Sequence, residues 1–210
     1  MPVGVPKVPF QIPGDEEATW VDLNRLYRER FLFLGKEVEE ELANQIVGLM
    51  IYLNLEDPTR DQFMFINSPG GYVLSGLAVH DAIQYVIPPV YTICIGVAAS
   101  MACFILIGGE ITGRMAFPHA RVMMHQPASA YYKANPEGIS MDTEDVTKIY
   151  EMIIEVYAQL TGRSPQVIRQ DMKRDRFMTP TEALDYGIID SIGLDPILHK
   201  LTKTKTNSKT

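Results

Sequence analysis

Residues 90–109, VYTICIGVAASMACFILIGG, contain no charged side chain and change character partway along. The first half is rich in β-branched residues and is typical of a buried strand, whereas the part from Ser100 onward contains helix formers. The uncharged run extends back to residue 86 and is long enough to span a membrane, but Pro88 and Pro89 and the change of residue type favour a buried strand followed by a buried helix. A strand that runs into a helix is the repeating unit of α/β folds, so this stretch predicts an α/β fold class.

Other segments repeat the pattern and indicate a largely parallel sheet. Residues 61–68 alternate as a strand does, residues 121–126 form a short predicted strand, and residues 188–193 form a terminal one. In the helix predicted after the first of these, four residues are expected to share one apolar face: Leu74, Leu77, Ala78 and Ile83. In open α/β sheets, sites collect beyond the carboxyl ends of the strands.

Residues 142–162 predict a long amphipathic helix, with Asp142 as its N-cap and Gly162 at its end. Its apolar stripe consists of Val146, Ile149, Ile153, Tyr157 and Leu160, and it is widened by Tyr150, Ile154 and Val156. Two interpretations of the wide stripe stay open: simple packing on the core, or a second surface that contacts another subunit.

Length and composition predict one folded domain. The chain has 210 residues, of which 46% are hydrophobic and 21% charged, as in globular proteins. The N-terminus lacks the pattern of a removable targeting segment, and a net charge of −7 argues against nucleic-acid or anionic-membrane partners. Cys94 and Cys103 lie in apolar surroundings, so we expect neither a disulfide nor a metal site, which fits a reducing compartment.

Ser100 is a lone hydroxyl at the predicted junction of strand and helix, with Ala98 and Ala102 two positions to either side. Hydrolases often raise a nucleophile at such a turn in a G-x-S-x-G pattern, to which A-x-S-x-A is a weaker match. The alternative is a serine whose hydroxyl caps the helix. The local pattern alone favours the cap.

His125 lies at the end of a predicted strand, which brings its imidazole near Ser100 if the strands at 90–97 and 121–126 are neighbours. A satisfied core histidine is the alternative. A serine–histidine pair also needs a carboxylate that orients the imidazole, and Asp171 and Asp175 are both available. Spacing does not decide between them, although Asp175 lies closer to the point where the chain re-enters the core.

NSPGG, residues 67–71, predicts a tight loop between a strand and a helix. Such a loop can supply backbone N–H groups to a developing oxyanion, and a simple turn is the alternative. The chain contains no G-x-x-x-x-G-K-[ST] phosphate loop.

Four segments together resemble one family, the proteolytic subunit of the Clp protease, over roughly residues 18–195. They are FINSPGG (65–71), GVAASMA (96–102), RVMMHQP (121–127) and RDRFMTPTEALDYGIID (174–190). The start of the chain is most similar to the plastid-encoded member. The resemblance implies the Clp protease/crotonase-type α/β fold, with repeated strand–helix units and a protruding handle helix at about 142–162. It also implies an axial segment at 1–17, and the tail 196–210 is expected to be disordered.

The resemblance implies a role for five residues. Ser100 would be the nucleophile of a serine endopeptidase, His125 the general base and acid, and Asp175, rather than Asp171, the third member of the triad. Gly71 and Met101 would donate the oxyanion-hole N–H groups. Six further residues fall at positions that line a chaperone-docking cleft between neighbouring subunits, with ordinary core packing as the alternative: Phe63, Phe65, Tyr85, Ile93, Met115 and Phe117.

The resemblance also implies partners and a location. Subunits, identical or paralogous, would stack as two seven-membered rings, and an AAA+ Clp chaperone that uses ATP would deliver unfolded proteins. No cofactor or metal is then expected in this chain, and the location would be the chloroplast stroma, with a bacterial cytoplasm as the alternative. Two other functions are considered: a non-catalytic ring subunit, and a crotonase-fold enzyme acting on an acyl-CoA.

Overall fold

A computed structural model describes residues 7–10, 19–22, 26–126 and 143–195. Most of the predicted axial segment, the predicted helix cap Asp142 and the tail 196–210 lie outside the described residues. The predictions made for those parts stay predictions.

The described residues form nine strands and six helices. The strands are β1 (Lys7–Phe10), β2 (Thr19–Asp22), β3 (Phe31–Leu34), β4 (Gln62–Ser68), β5 (Val90–Ala99), β6 (Arg114–Ala116), β7 (Arg121–Met124), β8 (Arg176–Met178) and β9 (Ser191–Ile192). The helices are α1 (Glu40–Glu56), α2 (Val73–Tyr85), α3 (Met101–Ile107), α4 (Thr143–Thr161), α5 (Pro165–Asp171) and α6 (Pro180–Tyr186).

Strands β3, β4, β5, β6 and β9 lie side by side in parallel within a seven-stranded sheet, which confirms the predicted α/β class. The central strand β5 has two partners in succession. Its first half pairs with β6, with Ile93 opposite Met115, and its last residues pair in parallel with β7, with Ala99 opposite Met123. Strand β8 then pairs antiparallel with β7. Because β5 and β7 are parallel, the residues after Ala99 and after Met124 emerge at the same edge of the sheet.

The uncharged stretch at 90–109 is a buried strand followed by a buried helix, as predicted. All seven side chains of α3 are buried in the main core, between the sheet and the neighbouring helices. None of the helices in the described part of the chain is both long enough and apolar enough to span a membrane.

The predicted face of α2 is half right: Ile83 is buried and Leu77 packs against the core, but the other two residues do not. Its buried residues include Val73, Val79 and Ile83, whereas Leu74 and Ala78 are exposed. A mostly apolar helix offers several faces of similar hydrophobicity, so its sequence does not decide which one meets the core.

Helix α4 matches the predicted amphipathic helix, and the chain leaves it at Gly162, which has φ +71°. Ile153, Ile154 and Tyr157 are buried, whereas no residue from Glu144 to Tyr150 is fully buried. The C-terminal half of the helix therefore packs on the core, and the N-terminal half is more open.

Candidate active site

Ser100 lies at the sharp turn between β5 and α3 with φ 55° and ψ −123°, a conformation that non-glycine residues rarely adopt. Its backbone N–H donates to the Met123 carbonyl oxygen at 2.9 Å, which fastens the turn to β7. The helix-cap interpretation is wrong, because the Ser100 hydroxyl makes no cap hydrogen bond. That oxygen lies instead 2.9 Å from Nε2 of His125.

His125 follows β7 directly and is held on both sides. Met124, before it, pairs with Arg176 of β8, and the N–H of Gln126, after it, donates to the Met172 carbonyl oxygen at 2.7 Å. Strands β5 and β7 are neighbours in the sheet, as predicted, and their pairing places the imidazole of His125 against Ser100.

The structure places Asp175, and not Asp171, against His125. Nδ1 of His125 lies 3.1 Å from Oδ1 of Asp175. A carboxylate at Nδ1 fixes the tautomer that donates from Nδ1, which leaves Nε2 free to accept the proton of the Ser100 hydroxyl. The carboxylate of Asp171 instead forms an ion pair with Arg176 and accepts a hydrogen bond from the Tyr186 hydroxyl. Sequence spacing did not reveal these contacts.

The glycine loop lies directly on the serine turn. A Cβ at Gly70 would lie 2.6 Å from the carbonyl oxygen of Ala99 and 2.7 Å from Cβ of Ser100, and φ is +93° there. The buried Ser68 hydroxyl accepts the Gly70 N–H at 3.1 Å and shapes the loop. Ser68 and Gly70 had not been singled out in the sequence, although both lie inside the motif that predicted the loop.

The backbone N–H groups of Gly71 and Met101 are among those at this point that have no acceptor in the described residues. Met101 is the first residue of α3, where no intrahelical acceptor exists. The close approach of Gly70 to Ser100 brings the loop beside the start of that helix. The predicted oxyanion-hole donors therefore flank the serine turn, at a helix N-terminus that favours negative charge.

Five of the six predicted cleft residues form one cluster on the sheet. Phe63, Ile93 and Met115 are buried there, and Phe65 and Phe117 are partly buried. Tyr85, at the end of α2, is 83% exposed and lies outside this cluster.

The two cysteines offer no competing nucleophile. Both are free and buried, and burial raises the pKa of Cys94 to about 11 and that of Cys103 to about 12. A thiol is reactive as the thiolate, so these remain in the inert form near neutral pH. Within the described ranges, no group of three or more histidine, cysteine or acidic side chains could hold a metal ion.

A serine hydroxyl, an imidazole and a carboxylate in one hydrogen-bonded series, beside unpaired backbone N–H groups, define the class of serine hydrolases. Comparison with known proteins gives the family. The Clp protease family profile matches residues 14–195. Proteins named ATP-dependent Clp protease proteolytic subunit are 57% identical in the orchid Phalaenopsis aphrodite subsp. formosana, 56% in Nicotiana tabacum and 58% in the fern Angiopteris evecta. Each match covers 93% of this chain and 96%, 100% and 99% of the respective relative.

The chain belongs to the Clp protease family.

Proposed function

We propose that this chain is the proteolytic subunit of an ATP-dependent Clp protease, a serine endopeptidase that hydrolyses peptide bonds of unfolded proteins. The observation that carries the catalytic part is the series Ser100 Oγ, His125 and Asp175, with separations of 2.9 and 3.1 Å. The assignment to an ATP-dependent Clp protease is supported by the name that the plant relatives share and by matches that cover 93% of this chain.

In the first half of the reaction, His125 takes the proton of the Ser100 hydroxyl while Oγ attacks the carbonyl carbon of the scissile peptide bond. The imidazolium that forms is stabilised by Asp175. It then gives its proton to the departing amine, which leaves an acyl ester on Ser100. In the second half, His125 activates a water molecule that hydrolyses the ester.

The oxyanion of each tetrahedral intermediate receives hydrogen bonds from the N–H groups of Gly71 and Met101. Such preorganised donors supply about 3 kcal/mol or more apiece in acyl transfer. This assignment of the two N–H groups is supported by the finding that neither donates to another acceptor among the described residues.

The family implies oligomeric assembly and association with Clp chaperones. We assign the exposed half of α4 to the contact between two stacked seven-membered rings, and residues 1–17 to the axial entrance. The partly exposed members of the cluster on the sheet, Phe65 and Phe117, completed by Tyr85 of a neighbouring subunit, would receive the AAA+ chaperone. That chaperone would use the ATP, and this chain would need no cofactor or metal.

The plant relatives suggest the chloroplast, and we place the protein in its stroma. Neither of the other two functions considered, a non-catalytic subunit or an acyl-CoA enzyme, gains support from the site. A complete series of three catalytic side chains serves no purpose in the first and is not required by the second.

The test is hydrolysis of a fluorogenic peptide by the assembled protein, with Ser100→Ala prepared in parallel. We expect hydrolysis that disappears in the variant, and a native mass many times 23.6 kDa for both. Equal activity of the two proteins would contradict the proposal, as would an assembled protein without activity.

A further inference from the structure

The loop that carries Asp175 joins α5 to β8 and spans residues 172–175. The Asp175 side chain is 65% exposed, yet it lies 3.1 Å from Nδ1 of His125. An exposed side chain on a loop gains little from packing, whereas a triad carboxylate has to keep its place to within a fraction of an ångström. The neighbouring side chains show how this loop is held.

An ion pair closes the loop at its base. Asp171, the last residue of α5, pairs through Oδ1 with Nη1 of Arg176, the first residue of β8. The second carboxylate oxygen, Oδ2 of Asp171, accepts a hydrogen bond from the hydroxyl of Tyr186 at 2.7 Å. Both oxygens of Asp171 are thus engaged, in charge-assisted hydrogen bonds that are about twice as strong as neutral ones.

Tyr186 anchors this pair to the body of the protein. It is buried on α6, and the guanidinium carbons of Arg163 and Arg176 lie 4.1 and 4.9 Å from the centre of its ring. Burial, and then the contact with Asp171, raise the pKa of Tyr186 above its ordinary value. The hydroxyl therefore stays protonated and remains a donor to the carboxylate.

The same segment also holds His125 through the backbone. The residues before and after His125 both bond to the segment that carries Asp175. Met124 pairs with Arg176 in the sheet, and the N–H of Gln126 donates to the Met172 carbonyl oxygen. An ion pair that fixes the two ends of the loop therefore fixes Asp175 relative to His125.

We propose that Asp171, Arg176 and Tyr186 form a staple that positions Asp175 against His125. This inference rests on the proposed function, because it assumes that Ser100, His125 and Asp175 act together. The three staple residues are positioning residues that act through Asp175.

The test measures kcat and KM of peptide hydrolysis per active site, with active sites counted by complete fluorophosphonate labelling of Ser100 and assembly checked by native mass. Arg176→Gln is expected to lower kcat by about 10- to 100-fold with little change in KM, because the carboxylate is misplaced while substrate binding is retained. Arg176→Lys keeps a cation for Asp171 and should recover most of the loss. A purely structural role would lower the number of labelled sites, and leave kcat per site unchanged.

The double variant D171N/R176Q tests the pairing itself. Since both single changes remove the same ion pair, the double variant should be no slower than the slower single variant. Arg169→Gln is the matched control: it removes another ion pair of α5, that between Arg169 and Glu151, without touching the loop. Its kcat per site should equal that of the parent.

Four results would overturn the inference: unchanged kcat per site in Arg176→Gln, no recovery in Arg176→Lys, multiplied losses in the double variant, or an equal loss in Arg169→Gln. If Arg176→Gln does not fold, Tyr186→Phe, which removes only the hydroxyl, should show a smaller loss of kcat, and an unchanged kcat there counts against the staple. A parent protein that neither labels at Ser100 nor hydrolyses peptides would instead overturn the proposed function.

Discussion

The two ends of the proposed triad, Ser100 and Asp175, are built in different ways. Ser100 precedes a helix whose side chains are all buried, and backbone hydrogen bonds and a close glycine contact hold it in an unusual conformation. Asp175 is 65% exposed and lies in a loop whose ends are joined by an ion pair of side chains. Ser100 is therefore fixed by the backbone and by packing, where one added methyl group should disturb it. Asp175 is held by an ion pair of side chains, where a conservative exchange should be tolerated.

The largest expected effect is the loss of either reacting partner. Ser100→Ala and His125→Ala should each lower kcat for peptide hydrolysis by about 10⁶-fold, and the double variant no further, because the residues act as a unit. Steady-state kinetics on assembled protein measure this. A loss of only tenfold in either variant would point to another mechanism.

The next effect separates Asp171, the last residue of α5, from Asp175, in the loop that follows. Asp175→Asn should lower kcat by about 10⁴-fold, since an amide does not hold the imidazole in the reactive tautomer. Asp171→Asn, four residues away, should cost only about 10- to 100-fold, because it acts through the loop. Equal losses, or a larger loss at Asp171, would reverse the roles assigned to the two residues.

A smaller loss of activity is expected when the close contact between Gly70 and the Ser100 turn is disturbed. Gly70→Ala should lower kcat by about 100-fold, because the methyl group would lie 2.6 Å from the Ala99 carbonyl oxygen and the residue would keep φ +93°. Gly48→Ala is the matched control, since a Cβ there meets no atom within 4 Å. It should keep the parent kcat and gain slightly in stability as a helical position. Parent activity in Gly70→Ala would show that the close contact is not needed.

The smallest effect concerns the contact between α2 and α3 and the stability of the fold. His80 of α2 stacks on Phe104 of α3 with ring centroids 4.4 Å apart. Burial lowers the pKa of His80, with a smaller opposing effect from Asp81, whose Oδ1 lies 3.5 Å from Nδ1. The unfolded chain therefore binds the proton first as pH falls, and the free energy of unfolding should decrease as pH drops through the ordinary histidine value of about 6.5.

His80→Leu should remove that part of the pH dependence. Urea unfolding at pH 8 and pH 5.5 checks this by comparing the change in unfolding free energy between the two pH values, parent against variant. The same change in both proteins would mean that His80 does not contribute.

Much of the fold could be predicted because its signals are local. The change of residue type at Ser100 and the glycine after α4 both appear where the sequence places them. The buried face of α2 was predicted only in part, because Leu74 and Ala78 are apolar like the residues that meet the core. A local pattern shows that a helix forms, but the packing partner decides how the helix is rotated.

The site depended on contacts between distant parts of the chain. The interpretation of Ser100 as a cap was a reasonable local inference, and the structure rejects it because the hydroxyl meets His125, 25 residues away. Asp171 and Asp175 have the same chemistry and neighbouring positions, so only the fold shows that one faces an imidazole and the other an arginine. The staple with Tyr186 gave no sequence signal, because an aspartate, an arginine and a tyrosine are ordinary surface residues in a sequence.

The central claim is that Ser100 is the activated nucleophile, and covalent labelling tests it most directly. A fluorophosphonate probe is applied to the assembled parent protein and to Ser100→Ala, and the adduct is located by peptide mass spectrometry. An adduct on Ser100 of the parent, with none in Ser100→Ala, is the predicted result. An assembled parent that takes up no probe, or an adduct on another residue that persists in Ser100→Ala, would contradict the claim.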